Sequence, residues 1–82
     1  MNEWDQRYDR AEYVYGTEPN DFLKEYVDRI PHGPVLCLAD GEGRNSVFLA
    51  KQGFEVTSVD ISEVGLEKAR RLAADHGVSI NT

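Results

Sequence analysis

The feature that most constrains this fold is an apolar run, Val35-Leu36-Cys37-Leu38-Ala39, that leads directly into the turn Asp40-Gly41-Glu42-Gly43-Arg44. A short continuous apolar run suits a strand buried on both faces, as in a parallel sheet. Asn45 to Gln52 then reads as a helix carrying Val47, Phe48, Leu49 and Ala50, with Gly53 placed to end it in the left-handed conformation. Phe54 to Val59 is a second strand, closed by Asp60. Ser62 is suited to cap a helix over 63–75, with Glu63 at its positive end. Val64, Leu66, Ala69, Leu72 and Ala73 supply the buried side of that helix, and Gly77 ends it. Val78-Ser79-Ile80-Asn81-Thr82 alternates like the start of a third strand.

Upstream, Phe22, Leu23, Tyr26, Val27 and Ile30 form an apolar stripe at helical spacing, which predicts a helix over 20–30. Asn20 or Asp21 caps it and Pro31-His32-Gly33-Pro34 ends it. Residues 1–19 are polar but rich in aromatics; Trp4 and Tyr8, four apart, fall on one helix face. Strands alternating with helices imply a parallel sheet with right-handed crossovers. The expected fold class is therefore α/β: a Rossmann-like parallel sheet with alternating helices, incomplete at about three strands and preceded by an N-terminal helical segment. Residues 1–33 read as an aromatic, helical cover and residues 34–82 as the N-terminal half of a nucleoside-binding domain.

With 82 residues the chain is sized for one small domain. Nine basic residues against fifteen acidic ones give a net charge of −6, the opposite of what phosphate backbones attract. The one dense basic group, Lys68-Ala69-Arg70-Arg71, reads as a solvated helix face. No apolar run approaches the roughly 20 residues that span a bilayer. A single cysteine and the absence of a signal-peptide pattern favour the cytoplasm. Neither nucleic acid nor membrane is the expected partner.

In parallel sheets ligands bind at the carboxyl ends of the strands. Two elements meet there. In the glycine turn, Gly41 and Gly43 permit a sharp bend and close approach of a ligand, and the following helix start offers N–H groups. At the end of the second strand, Asp60, nineteen residues beyond Gly41, is placed to accept both hydroxyls of an adenosine ribose, with Ile61 against the adenine. A dinucleotide would bring two phosphates to a turn that carries Asp40 and Glu42, with Asp60 and Glu63 nearby and only Arg44 as a base. Like charges disfavour that arrangement, and Ser46 stands where the dinucleotide pattern has its third glycine. S-adenosylmethionine, which has a sulfonium and an amino cation beside one carboxylate, suits an acidic rim better.

The stretch from Val35 to Ala50 resembles the first motif of class I S-adenosylmethionine-dependent methyltransferases, nearest the tellurite-resistance and thiopurine methyltransferase-like branch. Val56-Thr57-Ser58-Val59-Asp60-Ile61-Ser62, followed by Leu66, Ala69 and Ala73, resembles the family's second strand and helix. Trp4-Asp5, Arg7-Tyr8, Tyr13-Val14-Tyr15-Gly16 and Pro19-Asn20 resemble the lead-in of the same branch. The resemblance implies S-adenosylmethionine as cofactor, held by Ala39, Asp40, Gly41, Gly43, Asn45, Asp60 and Ile61, with Tyr13 and Tyr15 helping to cover the site. It also implies a small-molecule acceptor. Many relatives carry an acid where Cys37 stands and glycine where Ala39 stands, which leaves Asp40 to substitute for the lost acid.

His32 and His76 fall at the opposite edge of the sheet and Cys37 inside a strand, so no catalytic residue is assigned and no metal ligands are expected. Acceptor-binding groups in this family usually follow later strands. The chain is thus expected to be the cofactor half of a longer enzyme and inactive alone. The alternatives are a non-catalytic nucleoside-binding or self-associating module, with a homodimer through an exposed sheet edge, and an NAD-binding Rossmann fragment.

Overall fold

The computed structural model describes residues 2–38 and 40–82; Ala39, one of the expected cofactor contacts, lies outside them. The elements run α1 (Glu3–Tyr8), α2 (Asp21–Tyr26), β1 (Pro34–Leu38), α3 (Arg44–Lys51), β2 (Glu55–Val59) and α4 (Glu63–Asp75). The fold is α/β as expected. β1 and β2 are parallel neighbours, in register from Pro34 opposite Glu55 to Leu38 opposite Val59.

The third strand is present only as a bridge between Thr57 and Asn81. Its two bonds, Ser58 N to Asn81 O at 2.7 Å and Asn81 N to Val56 O at 2.9 Å, lie on the side of β2 away from β1. The spatial order is thus that of one half of a doubly wound sheet, third strand–β2–β1.

The local signals explain the boundaries. Ser62 caps α4, its Oγ accepting from Gly65 N at 3.0 Å. Asn20 caps α2 by accepting from the Phe22 and Leu23 amides. The helix expected over 20–30 is shorter, however. α2 ends at Tyr26 and tightens into a 3-10 turn over Val27–Arg29, the common way for a short helix to close ahead of a Pro/Gly connector.

The core lies on one face of the sheet. Val27, Leu49, Phe54 and Val56 form one cluster, with Val35 and Cys37 of β1 against it. Val47, Leu72 and Ala73 form a second cluster between α3 and α4, joined by Tyr13 and Val78. β1 is not buried on both faces, as its sequence predicts. Leu36 and Leu38 are 60% and 70% exposed, and Val59, opposite Leu38, is exposed beside them. Phe22, placed on the apolar stripe of α2, is also 70% exposed and packs on Tyr26. An all-apolar strand shows that both faces are suited to burial, and this chain supplies cover for one.

Candidate functional site

The glycine turn and the end of β2 meet at the carboxyl edge of the sheet, and one carboxylate joins them. Asp60 accepts from Gly41 N at 2.8 Å through Oδ2 and from Ser62 N at 2.9 Å through Oδ1. Both oxygens are thereby fixed while each keeps acceptor capacity. Asp40 faces the other way. Its carboxylate accepts from Ser46 Oγ and Ser58 Oγ, both at 2.6 Å, and from Ser46 N. It ties the turn to α3 and β2 and occupies an amide at the start of α3 that is expected from the sequence to face a ligand.

The two glycines answer a packing demand. Gly41 and Gly43 have φ of +61° and +90°. A Cβ on Gly41 would lie 2.6 Å from Tyr8 Oη, and one on Gly43 would lie 2.5 Å from Ala69 Cβ. Gly65 on α4 completes the slot, since its Cβ would meet the Tyr8 ring at 2.9 Å. Tyr8 is therefore wedged between the turn and α4, and burial beside the Asp60 charge raises its phenol pKa.

α1 is held across the start of α4. Asp5 Oδ1 accepts from Ser62 Oγ at 2.7 Å and from Val64 N at 3.2 Å, and Asn2 Nδ2 donates to Ile61 O at 2.8 Å. Trp4 stacks on Tyr8 with centroids 5.7 Å apart. This pair forms the shared wall of two hollows. One, of about 240 Å³, is lined by Trp4, Tyr8, Tyr15, Asp40, Arg44 and Asn45 among others. The second, of about 360 Å³, is lined by Trp4, Tyr8, Val59, Asp60 and Ile61.

The expected site residues thus divide. Asp40 and Asn45 border the first hollow, Asp60 and Ile61 the second, and Gly41 and Gly43 are buried in the turn behind them. Asn45 also accepts from Asn20 N at 2.7 Å, which fastens the segment before α2 to the site. Tyr15 reaches the first hollow. Tyr13 instead turns inward, donating to Lys68 O and packing near the Lys68 ammonium. Trp4 and Tyr8 are site residues beyond those expected from the sequence, where their spacing of four is the available signal.

Lys68 also departs from the expected solvated face. It is 5% exposed and paired with the equally buried Glu42, not spread on a solvated face. Its position four after Val64 and four before Leu72 already marks the inner side of α4. Cys37 is half-buried and its pKa is pushed up to about 11 by burial and by Asp40, which does not suit a nucleophile. His32 stacks on Phe54 and His76 follows the last turn of α4. Among the described residues no group of His, Cys, Asp and Glu is placed to hold a metal, and no helix is long and apolar enough to cross a membrane.

A family model described as a methyltransferase domain matches residues 35–82, from the first residues of β1 through the third-strand bridge. The chain belongs to this methyltransferase family. It is 38% identical over 66 residues to an uncharacterized methyltransferase, YbaJ, of Bacillus subtilis (strain 168), covering 80% of this chain and 26% of that protein. It is also 38% identical over 58 residues to a 23S rRNA (uracil(747)-C(5))-methyltransferase of Pyrococcus horikoshii, covering 70% of this chain and 14% of the relative.

Among solved structures, one from work on the conversion of a disulfide bond into a thioacetal group during echinomycin biosynthesis superposes with a TM-score of 0.73 at 26% identity. That match covers 78% of this chain and 27% of the other. The PH0226 protein of Pyrococcus horikoshii OT3 gives a TM-score of 0.61 at 40% identity, over 73% of this chain and 26% of that one. The methyltransferase chain described here therefore spans about a quarter or less of the length of these proteins.

Proposed function

We propose that this chain is the cofactor-binding part of an S-adenosylmethionine-dependent methyltransferase that acts on a small molecule. The observation that carries the reading is the Asp60 carboxylate, fixed by the Gly41 and Ser62 amides beside a hollow walled by Trp4, Val59 and Ile61. A rigid acceptor next to apolar walls fits a nucleoside: Asp60 takes the ribose hydroxyls and Ile61 the adenine. The turn backbone at Gly41–Gly43, with Asp40 and Asn45, takes the methionine part. The cofactor supplies a methyl on a sulfonium sulfur, transferred by in-line displacement. What these residues contribute is binding and orientation. The tellurite-resistance and thiopurine methyltransferase-like branch is supported by the lead-in motifs around Trp4-Asp5 and Tyr13-Val14-Tyr15-Gly16.

Calorimetry with S-adenosylmethionine, S-adenosylhomocysteine and NAD tests the reading. The two sulfur ligands are expected to bind more tightly than NAD, and Asp60→Ala to weaken them at least about tenfold, the loss of one or two charge-assisted hydrogen bonds. Tighter binding of NAD overturns the reading. The rRNA-modifying relative makes RNA the specific second acceptor. The net charge of −6 opposes it, and binding of a uracil-containing RNA hairpin at physiological salt would favour it.

A further inference from the structure

The buried Glu42–Lys68 pair joins three parts of the molecule. Glu42 belongs to the glycine turn and Lys68 to α4. The Lys68 ammonium also donates to Tyr8 O at 3.2 Å and to Glu12 O, and Glu42 Oε1 accepts from Val14 N at 2.7 Å. Both side chains are almost fully enclosed. Glu42 Oε2 faces the Lys68 ammonium and Oε1 the Val14 amide, so the ammonium is the cation that balances the buried carboxylate. The stretch from Tyr8 to Tyr15 is otherwise held at Tyr8, wedged against Gly41 and Gly65, at Tyr13, which donates to Lys68 O, and at Tyr15, which accepts from Arg7. It contains no helix beyond α1 and is mostly exposed apart from Tyr8, Tyr13 and Val14. Yet its two ends, Tyr8 and Tyr15, wall the hollow above Asp40 and Asn45.

We infer that Glu42 and Lys68 are positioning residues: their ion pair latches residues 8–15 over the cofactor site. The inference rests on the cofactor reading above and adds a device to it. Lys68 lines neither hollow, while Glu42 borders the first with its charge turned to Lys68. Their effect on a ligand is exerted through Tyr8, Val14 and Tyr15. Affinity for a ligand that needs the latched form falls in proportion to the latched fraction.

The test compares the full chain with the paired variant Glu42→Gln/Lys68→Met, which leaves no buried charge unpaired, and with Lys68→Arg. Native-state hydrogen exchange is read at the Val14 amide, which the latch holds, and at the Leu49 amide inside α3, which it does not. The paired variant is expected to speed exchange at Val14, and tryptic cleavage after Arg10, at least about tenfold with Leu49 unchanged, because the opening is local. S-adenosylhomocysteine affinity falls by the ratio of the latched fractions, a smaller factor unless the open form predominates, and Lys68→Arg restores most of both.

If Val14 and Leu49 accelerate together, the pair only stabilises the fold and the inference is wrong. If Val14 does not change, it is equally wrong. Should the unaltered chain fail to bind S-adenosylhomocysteine, the cofactor reading fails instead, while the ligand-free comparison of Val14 with Leu49 still decides the latch.

Discussion

Gly43→Ala tests whether the turn is pressed against α4 as closely as the geometry requires. Two costs add. The left-handed φ of +90° strains any residue with a Cβ by about 1–2 kcal/mol. The new methyl would also lie 2.5 Å from Ala69 Cβ and 2.8 Å from Ala69 Cα, and overpacking of that kind costs about 1–3 kcal/mol. The sum, roughly 2–5 kcal/mol, approaches the total stability of about 4–12 kcal/mol usual for a chain of this length.

Gly53→Ala is the matched control. Its φ is +94° and its Cβ would meet nothing within 4 Å. It carries the strain alone, and the reduced freedom of the unfolded chain stabilises both variants equally, by about 0.4–1 kcal/mol. Urea unfolding followed by Trp4 fluorescence should therefore place Gly43→Ala below Gly53→Ala by about 1–3 kcal/mol. Equal losses would refute the close approach of turn and helix. Truncating Ala69 to glycine in the Gly43→Ala background should recover only part of the difference, since the Ala69 backbone remains in the way.

Tyr8→Ala empties the slot between Gly41 and Gly65 and should cost about 3–5 kcal/mol in the same unfolding assay, as for other large aromatic truncations. The Asp5 carboxyl is held below its ordinary 3.8, first by the hydrogen bond from Ser62, with burial opposing and the Val64 and Asn2 amides assisting. A lowered folded value means that the contribution is present above 3.8 and is lost as pH falls through the folded value. Urea midpoints taken downward from about pH 6 should drop in that acid window, and less so in Asp5→Asn. Cys37, raised to about 11 from 9.0, should react with iodoacetamide at pH 8 about a hundredfold more slowly than a free thiol, in proportion to its thiolate fraction. Mass spectrometry of the intact chain measures that rate.

Local signals were legible wherever one residue type answers one backbone need. Ser62 before an apolar-periodic run defined the start of α4, and the Gly41–Gly43 turn between two apolar runs defined a parallel strand pair. Long-range choices were not legible. Nothing in Val35–Leu38 tells which of its two apolar faces this chain covers; that depends on α3 packing beneath β2 and on the elements available above it. The same limit applies to Lys68. A basic residue within a Lys-Ala-Arg-Arg run is ordinarily solvated, and its burial required Glu42 to arrive from a turn 26 residues away. Tyr8 was visible as half of an aromatic pair, but its slot exists only because Gly41 of the turn and Gly65 of α4 converge.

The acids around the turn show how the fold changes an electrostatic reading. From sequence, Asp40, Glu42, Asp60 and Glu63 form an acidic rim that disfavours phosphates. In the structure Glu42 is neutralised by Lys68, Asp40 is absorbed by two serine hydroxyls, and Glu63 is paired with Arg70. Arg44 borders the first hollow, so the charge objection to a dinucleotide weakens. A different objection takes its place. Pyrophosphate sites in such folds rely on free amides of the turn and of the first helical residues. Here the Gly41 amide is donated to Asp60, the Gly43 amide to Asp40 O and the Ser46 amide to the Asp40 carboxylate. Three of the donors that a pyrophosphate would use are already taken, two of them by carboxylates, and it would have to displace them. A ligand that places hydroxyls on Asp60 and brings one carboxylate instead of two phosphates asks fewer donors of this turn, which is the physical basis for proposing S-adenosylmethionine at this edge of the sheet.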